Sequence, residues 1–331
     1  MTTDLQVSVE GVSDALLAAY AASGMERGKA GAEALRWAFG GNPAAFAVAR
    51  HEGEIVGVSA YIRSRMTFGG TAGAGFQAVD SFTTPEMRGK GVFSTLARAY
   101  EAHAETTGAD LIWGFPNDNA APAWFGKLGW HRHGQVPFLV KPLRAGYFLR
   151  KARLPFDFPV SMARDQNLAP LTGIGDWADT LWERLAPTIG CGTIRDRAFL
   201  EHRLFAAPQA ETYRTVADTD VSDPALVATR EADKHGARIA YLMEALGGAT
   251  LQDVLMSELG RLRGRGVELV LAWSFPWSPN YQTLRKAGFL PLPARLRPIR
   301  IWFGSRPKTP LATRANEEGQ WYLSYLDSDT I

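Results

Sequence analysis

The chain repeats itself at about half its length. The stretch "LIWGFPNDNAAPAWFGKLGW", residues 111–130, returns as "VLAWSFPWSPNYQTLRKAGF", residues 270–289. Phe115–Pro116 falls on Phe275–Pro276, and Lys127-Leu128-Gly129-Trp130 falls on Lys286-Ala287-Gly288-Phe289 with one residue of slippage. Repetition on the scale of a domain predicts two copies of one fold rather than a solenoid of short units. A length of 331 residues fits two domains. The expected division is 1–145 for the first copy, 146–209 for a connecting region and 210–331 for the second.

Local patterns fill in the first copy. Residues 12–22 and 31–38 read as helices, the first capped by Ser13 or Asp14. Two strand-like runs flank a turn at His51–Gly53, and "AGFQAVDSFT" makes a third strand. From Val92 to Thr107 the apolar positions Phe93, Leu96, Ala97, Tyr100 and Ala104 recur at helical spacing. "ADLIWGFP" is a strand, "APAWFGKLGW" a short helix and "HRHGQVPFLVKPL" a last strand. In the second copy strands are expected at "ETYRTVAD", "PALVATREA" and "RIAYLMEALG". A helix near 250–263, the strand "VELVLAWSFP", a short helix and the strand "ARLRPIRIWF" follow.

Between the third strand and the long helix stands "RGKGVF". Glycines at positive φ bring backbone N–H groups together, and a helix N-terminus adds unpaired N–H groups and the positive end of its dipole. Arg88 and Lys90 add charge, so Arg88, Gly89, Lys90, Gly91, Val92 and Phe93 form a candidate anion-binding turn. No GK[ST] follows four free positions, and the third glycine of a dinucleotide fingerprint is absent.

Composition narrows the class. Hydrophobic residues at 46% and charged residues at 21% suit a soluble globular protein, and a net charge of +2 gives no field that argues for nucleic acid. The single Cys191 excludes a disulfide framework and a cysteine-rich metal site. No apolar run reaches the ~18 residues of a membrane span, and the N-terminus lacks a signal-peptide pattern. A cytoplasmic protein is expected. The basic and apolar segment "YFLRKARLPF" is read as a solvated linker face, with contact to a membrane surface as the alternative. Nothing in these patterns fixes an oligomeric state.

The order of strand, R-G-x-G turn, helix, strand, Asn-containing loop and short helix ending in Leu-Gly-aromatic resembles the GNAT acyltransferase superfamily. The family's loop is Q/R-x-x-G-x-G/A, matched here by Arg88-Gly89-Lys90-Gly91-Val92, with Phe93 where Gly or Ala is usual. Asn119 and "KLGW" match the second signature. The resemblance covers roughly residues 5–145 by motif and 210–305 by pattern. It implies an α/β (α+β) architecture of two GNAT-like domains, each a mixed central sheet flanked by helices.

It also implies acyl-coenzyme A as co-substrate and no metal. The pyrophosphate would rest on the N–H groups of Arg88 to Phe93, with Ser94 adding a hydroxyl. The pantetheine arm would pair with the main chain of Ser81, Phe82 and Thr83 between two splayed strands. Asn119 would orient backbone or pantetheine. In the second copy "RGKGVF" falls on "GGATLQ", which has no basic residue, so that copy is expected to bind no coenzyme.

Attack on a thioester needs a neutral amine, and an alkylamine of pKa ~10 is mostly protonated at pH 7, at a cost of about 4 kcal/mol. Asp80 is the candidate base, because strand alternation puts Ala78, Asp80 and Phe82 on one face. Burial there would raise its pKa. His131 and His133 share a strand face and are weaker candidates. A tyrosine that the family often places before the helix-end glycine is replaced by Phe125, and by Leu284 in the second copy. The implied activity is transfer of an acyl group to a primary amine of a small molecule, such as an amino sugar, amino acid or envelope precursor, by direct attack in a ternary complex. A long-chain acyltransferase acting on a lipid amine such as a sphingoid-type base, and a coenzyme-binding scaffold or sensor, are the alternatives.

Overall fold

In "AAFAVARH" alternate residues of one strand go to opposite cores. Ala47 and Ala49 pack with Leu96 and Tyr100, while Phe46 and Val48 pack with Leu16, Tyr20 and Phe39. A sheet buried on both faces needs apolar residues at successive positions, and that is what this run supplies. The computed structural model describes residues 5–24, 31–161, 168–234, 236–297 and 299–328. Its contacts divide the chain into two units, residues 5–135 with 300–320, and 136–299 with 321–328.

The first unit runs β1 (Leu5–Glu10), α1 (Asp14–Ala22), α2 (Gly31–Phe39), β2 (Phe46–His51), β3 (Glu54–Phe68), β4 (Thr71–Thr83), α3 (Val92–Thr106), β5 (Leu111–Gly114) and β6 (His131–Gln135). Ser13 caps α1, its Oγ accepting from the Leu16 N–H. Glu52 and Gly53 both take positive φ, as a two-residue hairpin requires. The sheet order is β1-β2-β3-β4-β5-β14-β6, where β14 is Trp302–Pro307. Only β4 and β5 pair in parallel among these neighbours. Helix α3 covers one face with Leu96, Ala97, Tyr100 and Ala104, and α1 and α2 cover the other.

The second unit contains β7 (Phe138–Pro142), α4 (Gly146–Lys151), α5 (Trp177–Leu185), β8 (Gly192–Thr193), α6 (Arg197–Leu204), β9 (Tyr213–Asp218), β10 (Ala225–Lys234), β11 (Ala237–Gly247), α7 (Leu251–Gly264), β12 (Leu269–Trp273), α8 (Tyr281–Lys286) and β13 (Leu290–Pro291). Its sheet order is β13-β7-β12-β11-β10-β9, with β11 and β12 parallel. Leu251, Val254, Leu255, Leu259 and Leu262 of α7 pack on this sheet.

Two strands lie outside the half of the sequence that repeats them. The expected single strand "HRHGQVPFLVKPL" is two strands in two sheets, β6 in the first and β7 in the second. The connector Val136–Pro137 explains the break. A two-residue hairpin needs positive φ, which proline cannot adopt, so the chain continues instead of turning back. Conversely, "ARLRPIRIWF" is not one strand. Ala294–Leu296 is a 3-10 turn, and the strand begins at Trp302, paired with β5 in the first unit. The sequence division at 145 and 210 therefore does not coincide with the units, and the helices expected in a connecting region belong to the second unit.

Candidate functional site

Strands β4 and β5 pair from Gly75 opposite Leu111 to Ala78 opposite Gly114, and there the pairing stops. β4 continues for Val79 to Thr83, still bonded to β3 through Ser59–Ser81, Val58–Phe82 and Gly57–Thr83. Over those residues no strand among the described residues pairs with the edge of β4 turned away from β3. The two parallel strands thus open into a fork. Gly114 closes its root, because a Cβ there would lie 2.5 Å from the Ala78 carbonyl oxygen and 2.8 Å from the Trp124 ring.

A bulge sits at the fork. Tyr61 faces Ala78 and Ser59 faces Ser81, so Val79 and Asp80 together oppose Ala60. This overturns the expectation that Ala78, Asp80 and Phe82 share a face. Ala78 packs with the α3 cluster, whereas Val79 and Phe82 pack with the α1 and α2 cluster. The extra residue reverses the alternation. Counting back from Phe82, Asp80 faces away from α3, half-buried at the fork. Ser81 hydrogen-bonds Ser59, Oγ to Oγ, at 2.7 Å.

Past Thr83 the chain makes a 3-10 turn at Pro85–Met87 and enters the glycine loop. Gly89 and Gly91 take φ of 77° and 83°, with nothing within 4 Å of where a Cβ would be. Gly91 is the N-cap of α3, and no side chain caps the helix. The first intrahelical bond runs from the Thr95 N–H to the Gly91 carbonyl at 3.1 Å, so the first-turn N–H groups have no helical partner. Arg88, Lys90 and both glycines are exposed, and Ser94 is half-buried. Arg88 donates from Nε to the Thr83 carbonyl at 3.3 Å, tying the loop to the end of β4. Val92 is buried, and half-buried Phe93 packs toward the α3 core, which accommodates a large residue at that position. The Arg88 and Lys90 N–H groups already donate to the Pro85 and Met87 carbonyls, at 3.3 and 3.4 Å, so it is the first-turn N–H groups of α3 beside the two cations that fit a diphosphate.

Asn119 is exposed, and its N–H donates to Asn117 Oδ1 at 3.0 Å. Asn117 is the residue that organises this loop, since its Oδ1 also accepts from Ala120 N–H at 3.0 Å. Sequence reading passed over Asn117, although it is the first polar residue after β5. Phe125, half-buried, lies over Gly304 of β14 at 2.6 Å from that glycine's missing Cβ and carries no hydroxyl.

His131 and His133 do share a face of β6, their rings 4.7 Å apart. They stand apart from the fork, because β5 and β14 separate β6 from β4. His133 Nε2 meets Ser305 Oγ at 2.8 Å, Ser305 donates to Asn316 Oδ1 at 3.0 Å, and the imidazole stacks on Phe303. None of these partners lies near His133 in sequence. Burial, with His131 alongside, pulls its pKa down to about 3. Such a ring is neutral in the working range and has too little proton affinity to serve as a base.

A stability prediction follows from that value. The unfolded histidine takes a proton near 6.5, and the folded one resists until about 3. The contribution is therefore present above pH 6.5 and is lost as pH falls toward 3, on the order of 4–5 kcal/mol over the span. Between pH 6.5 and 4, His133→Gln should show a flatter melting-temperature profile than the parent chain. Parallel profiles would refute the assignment.

The second unit has the same fork with a different filling. β11 pairs β12 from Ile239–Leu269 to Leu242–Ala272 and runs on to Gly247. At the start of α7 the Thr250 N–H and Oγ both donate to Asp223 Oδ2 at 2.7 Å. That backbone bond, first among the causes, holds the Asp223 pKa below its ordinary value. A Cβ on Gly248 would lie 2.2 Å from Asp223 Oδ1. A carboxylate of the chain itself thus sits at the turn corresponding to the glycine loop. Beyond the root of this fork, Glu244 accepts from Tyr322 Oη at 2.5 Å and from Ser324 Oγ at 2.8 Å. It also pairs with Arg195, which in turn binds Asp327. Arg195 and Glu244 are fully buried.

Cys191 is buried in this unit. A cleft of about 550 Å³ there, lined in part by Arg214, Glu231, Arg238, Arg261 and Arg265, includes none of the residues expected from sequence. Among the described residues no cluster of three or more His, Cys, Asp or Glu side chains is arranged to hold a metal, and no helix is long and apolar enough to cross a membrane.

The chain is similar in fold to many solved structures. Among them are a GCN5-related N-acetyltransferase from Anabaena variabilis (TM-score 0.67, 11% identity, 92% of this chain and 73% of that one), a conserved protein from Enterococcus faecalis described as a probable N-acyltransferase (0.64, 12%, 92% and 73%), and a GCN5-related N-acetyltransferase from Kribbella flavida (0.62, 15%, 92% and 72%). No curated protein matches the sequence at a significant level. The sequence model for the acetyltransferase (GNAT) domain matches residues 11–132, a span that holds the β4–β5 fork, the glycine turn and α3. Residues 11–132 of this chain are therefore similar to the acetyltransferase (GNAT) domain.

Proposed function

We propose that the first unit is an N-acyltransferase that uses acyl-coenzyme A and acylates a primary amine of a small molecule. The observation that carries this reading is the junction of the β4–β5 fork with an uncapped helix N-terminus at Gly91. The first-turn N–H groups of α3, with Arg88, Lys90 and the Ser94 hydroxyl, would hold the diphosphate. The free edge of β4 at Ser81, Phe82 and Thr83 would pair with the amides of the pantetheine arm, and Asn119 lies on the loop that follows β5. The thioester supplies an activated acyl carbon. The amine nitrogen attacks it, the C–S bond breaks, and the ammonium proton leaves to Asp80, the ionisable group at the fork. Phe125 cannot protonate the departing thiolate, which at a thiol pKa of ~8.5 leaves without help from that position.

We further propose that the second unit is a GNAT-like copy that binds no coenzyme. Its carboxylate Asp223 repels the anion that Arg88 and Lys90 would attract.

Calorimetry with coenzyme A and turnover of acetyl-coenzyme A over a panel of amines test the reading. Asp80→Asn is expected to retain coenzyme A affinity and lose about a hundredfold or more in kcat across pH 6 to 9. Unchanged turnover would remove Asp80 as the base. Coenzyme A binding without turnover on any amine would turn the reading to a scaffold or sensor.

A further inference from the structure

Five of the eleven exposed large apolar side chains among the described residues fall between 148 and 160: Phe148, Leu154, Phe156, Phe158 and Val160, between 44% and 63% exposed. Every residue from Lys151 to Val160 is exposed. This segment is not a loose linker. The Ala145 N–H donates to the Phe158 carbonyl at 2.9 Å, and the Val160 N–H to the Leu143 carbonyl at 3.0 Å. Asp157 accepts from the Gly146 N–H at 2.9 Å and pairs with Arg144 at 2.7 Å. Arg150 pairs with Glu268 at 2.6 Å. The backbone is thus pinned at its base while the aromatic side chains point to water, an arrangement that soluble surfaces avoid unless something covers them.

The charge around the patch selects the cover. Asp157 offsets Arg144 and Glu268 offsets Arg150, which leaves Lys151 and Arg153, both exposed, as the excess charge of residues 144–160. Aromatic and aliphatic side chains that enter the headgroup region, flanked by these cations, match an anionic bilayer surface, where each cation adds to the binding of the apolar groups. We propose that residues 147–160 dock the protein on an anionic lipid membrane. Phe148, Phe156 and Phe158 enter the interface, and Lys151 and Arg153 meet the headgroups. This docking is independent of the acyl-transfer reading.

Co-sedimentation with vesicles of phosphatidylcholine alone, and of phosphatidylcholine with phosphatidylglycerol, tests it. Binding is expected to the anionic vesicles, weakened by high salt. The double variant Phe156→Ser/Phe158→Ser should lose about tenfold or more in partitioning, with an unchanged melting temperature because both side chains are exposed. Lys151→Glu/Arg153→Glu keeps the aromatics and should lose binding to anionic vesicles to a similar degree. The proposal is overturned if the parent chain does not pellet with anionic vesicles, or if both variants pellet as it does. It is equally overturned if the parent is a dimer in solution that Phe156→Ser/Phe158→Ser dissociates, since the patch would then cover a second copy.

Discussion

Gly91→Asp is expected to leave the fold intact and to cost roughly fivefold to nearly a thousandfold in coenzyme A affinity. Aspartate is a favoured N-cap, and its carboxylate would bond the first-turn N–H groups that glycine leaves open. It would also set a negative charge within a few ångströms of the diphosphate, a repulsion of about 1–4 kcal/mol at effective dielectrics between water and a protein surface. Nothing lies within 4 Å of the position a Cβ would take, so the structural cost is the left-handed backbone at φ 83°, about 1–2 kcal/mol, partly repaid by the cap. The second unit already contains such an arrangement, with Asp223 bonded to Thr250 at the corresponding turn. The measurement is calorimetric titration with coenzyme A beside a thermal melt. Parental affinity in a folded Gly91→Asp chain would show that the diphosphate rests elsewhere.

Arg195→Met carries the largest expected loss of stability. The guanidinium is fully buried between Glu244 and Asp327, and its Nη1 donates to the Thr193 carbonyl as well. The two carboxylates, with desolvation opposing them, hold its pKa above the ordinary arginine value. Removing it strands two buried acids, which costs about 3–5 kcal/mol. For a unit of this size that is a fall in Tm of roughly 6–20 °C. A urea melt of Arg195→Met alongside the parent checks it. A loss below about 1 kcal/mol would mean that water reaches the acids and that the network does not close the second fork. The network ties Trp321–Ser328 into the second unit through Asp327, Tyr322 and Ser324.

The local elements and the glycine turn before α3 were legible because their causes are local. Apolar spacing marks α3, turn glycines mark the ends of β2 and β3, and two glycines before an amphipathic helix mark that turn. The likeness of "KLGW" to "KAGF" was visible in the chain alone, and each begins on the last residue of a short helix, at 123–127 and 281–286. Asn117 escaped notice because its role depends on a side chain turning back on its own loop.

What the sequence could not decide is where pairing energy is spent. Whether a strand turns back or crosses to another sheet depends on partners a hundred or more residues away, and alternation within one strand carries no record of them. So β7 and β14 each joined the sheet of the other half. The bulge at Val79–Asp80, set by β3 opposite, turned Ala78 and Asp80 to different faces. His133 met Ser305, itself bonded to Asn316, across more than a hundred and fifty residues of chain, and burial lowered its proton affinity. The amino-acid order by itself determined the α/β pattern and the glycine turn. Only the tertiary structure determined the fork, the exchange of strands and the bulge that parts Ala78 from Phe82, because hydrogen-bond pairing between strands and removal from water are properties of the assembled sheet.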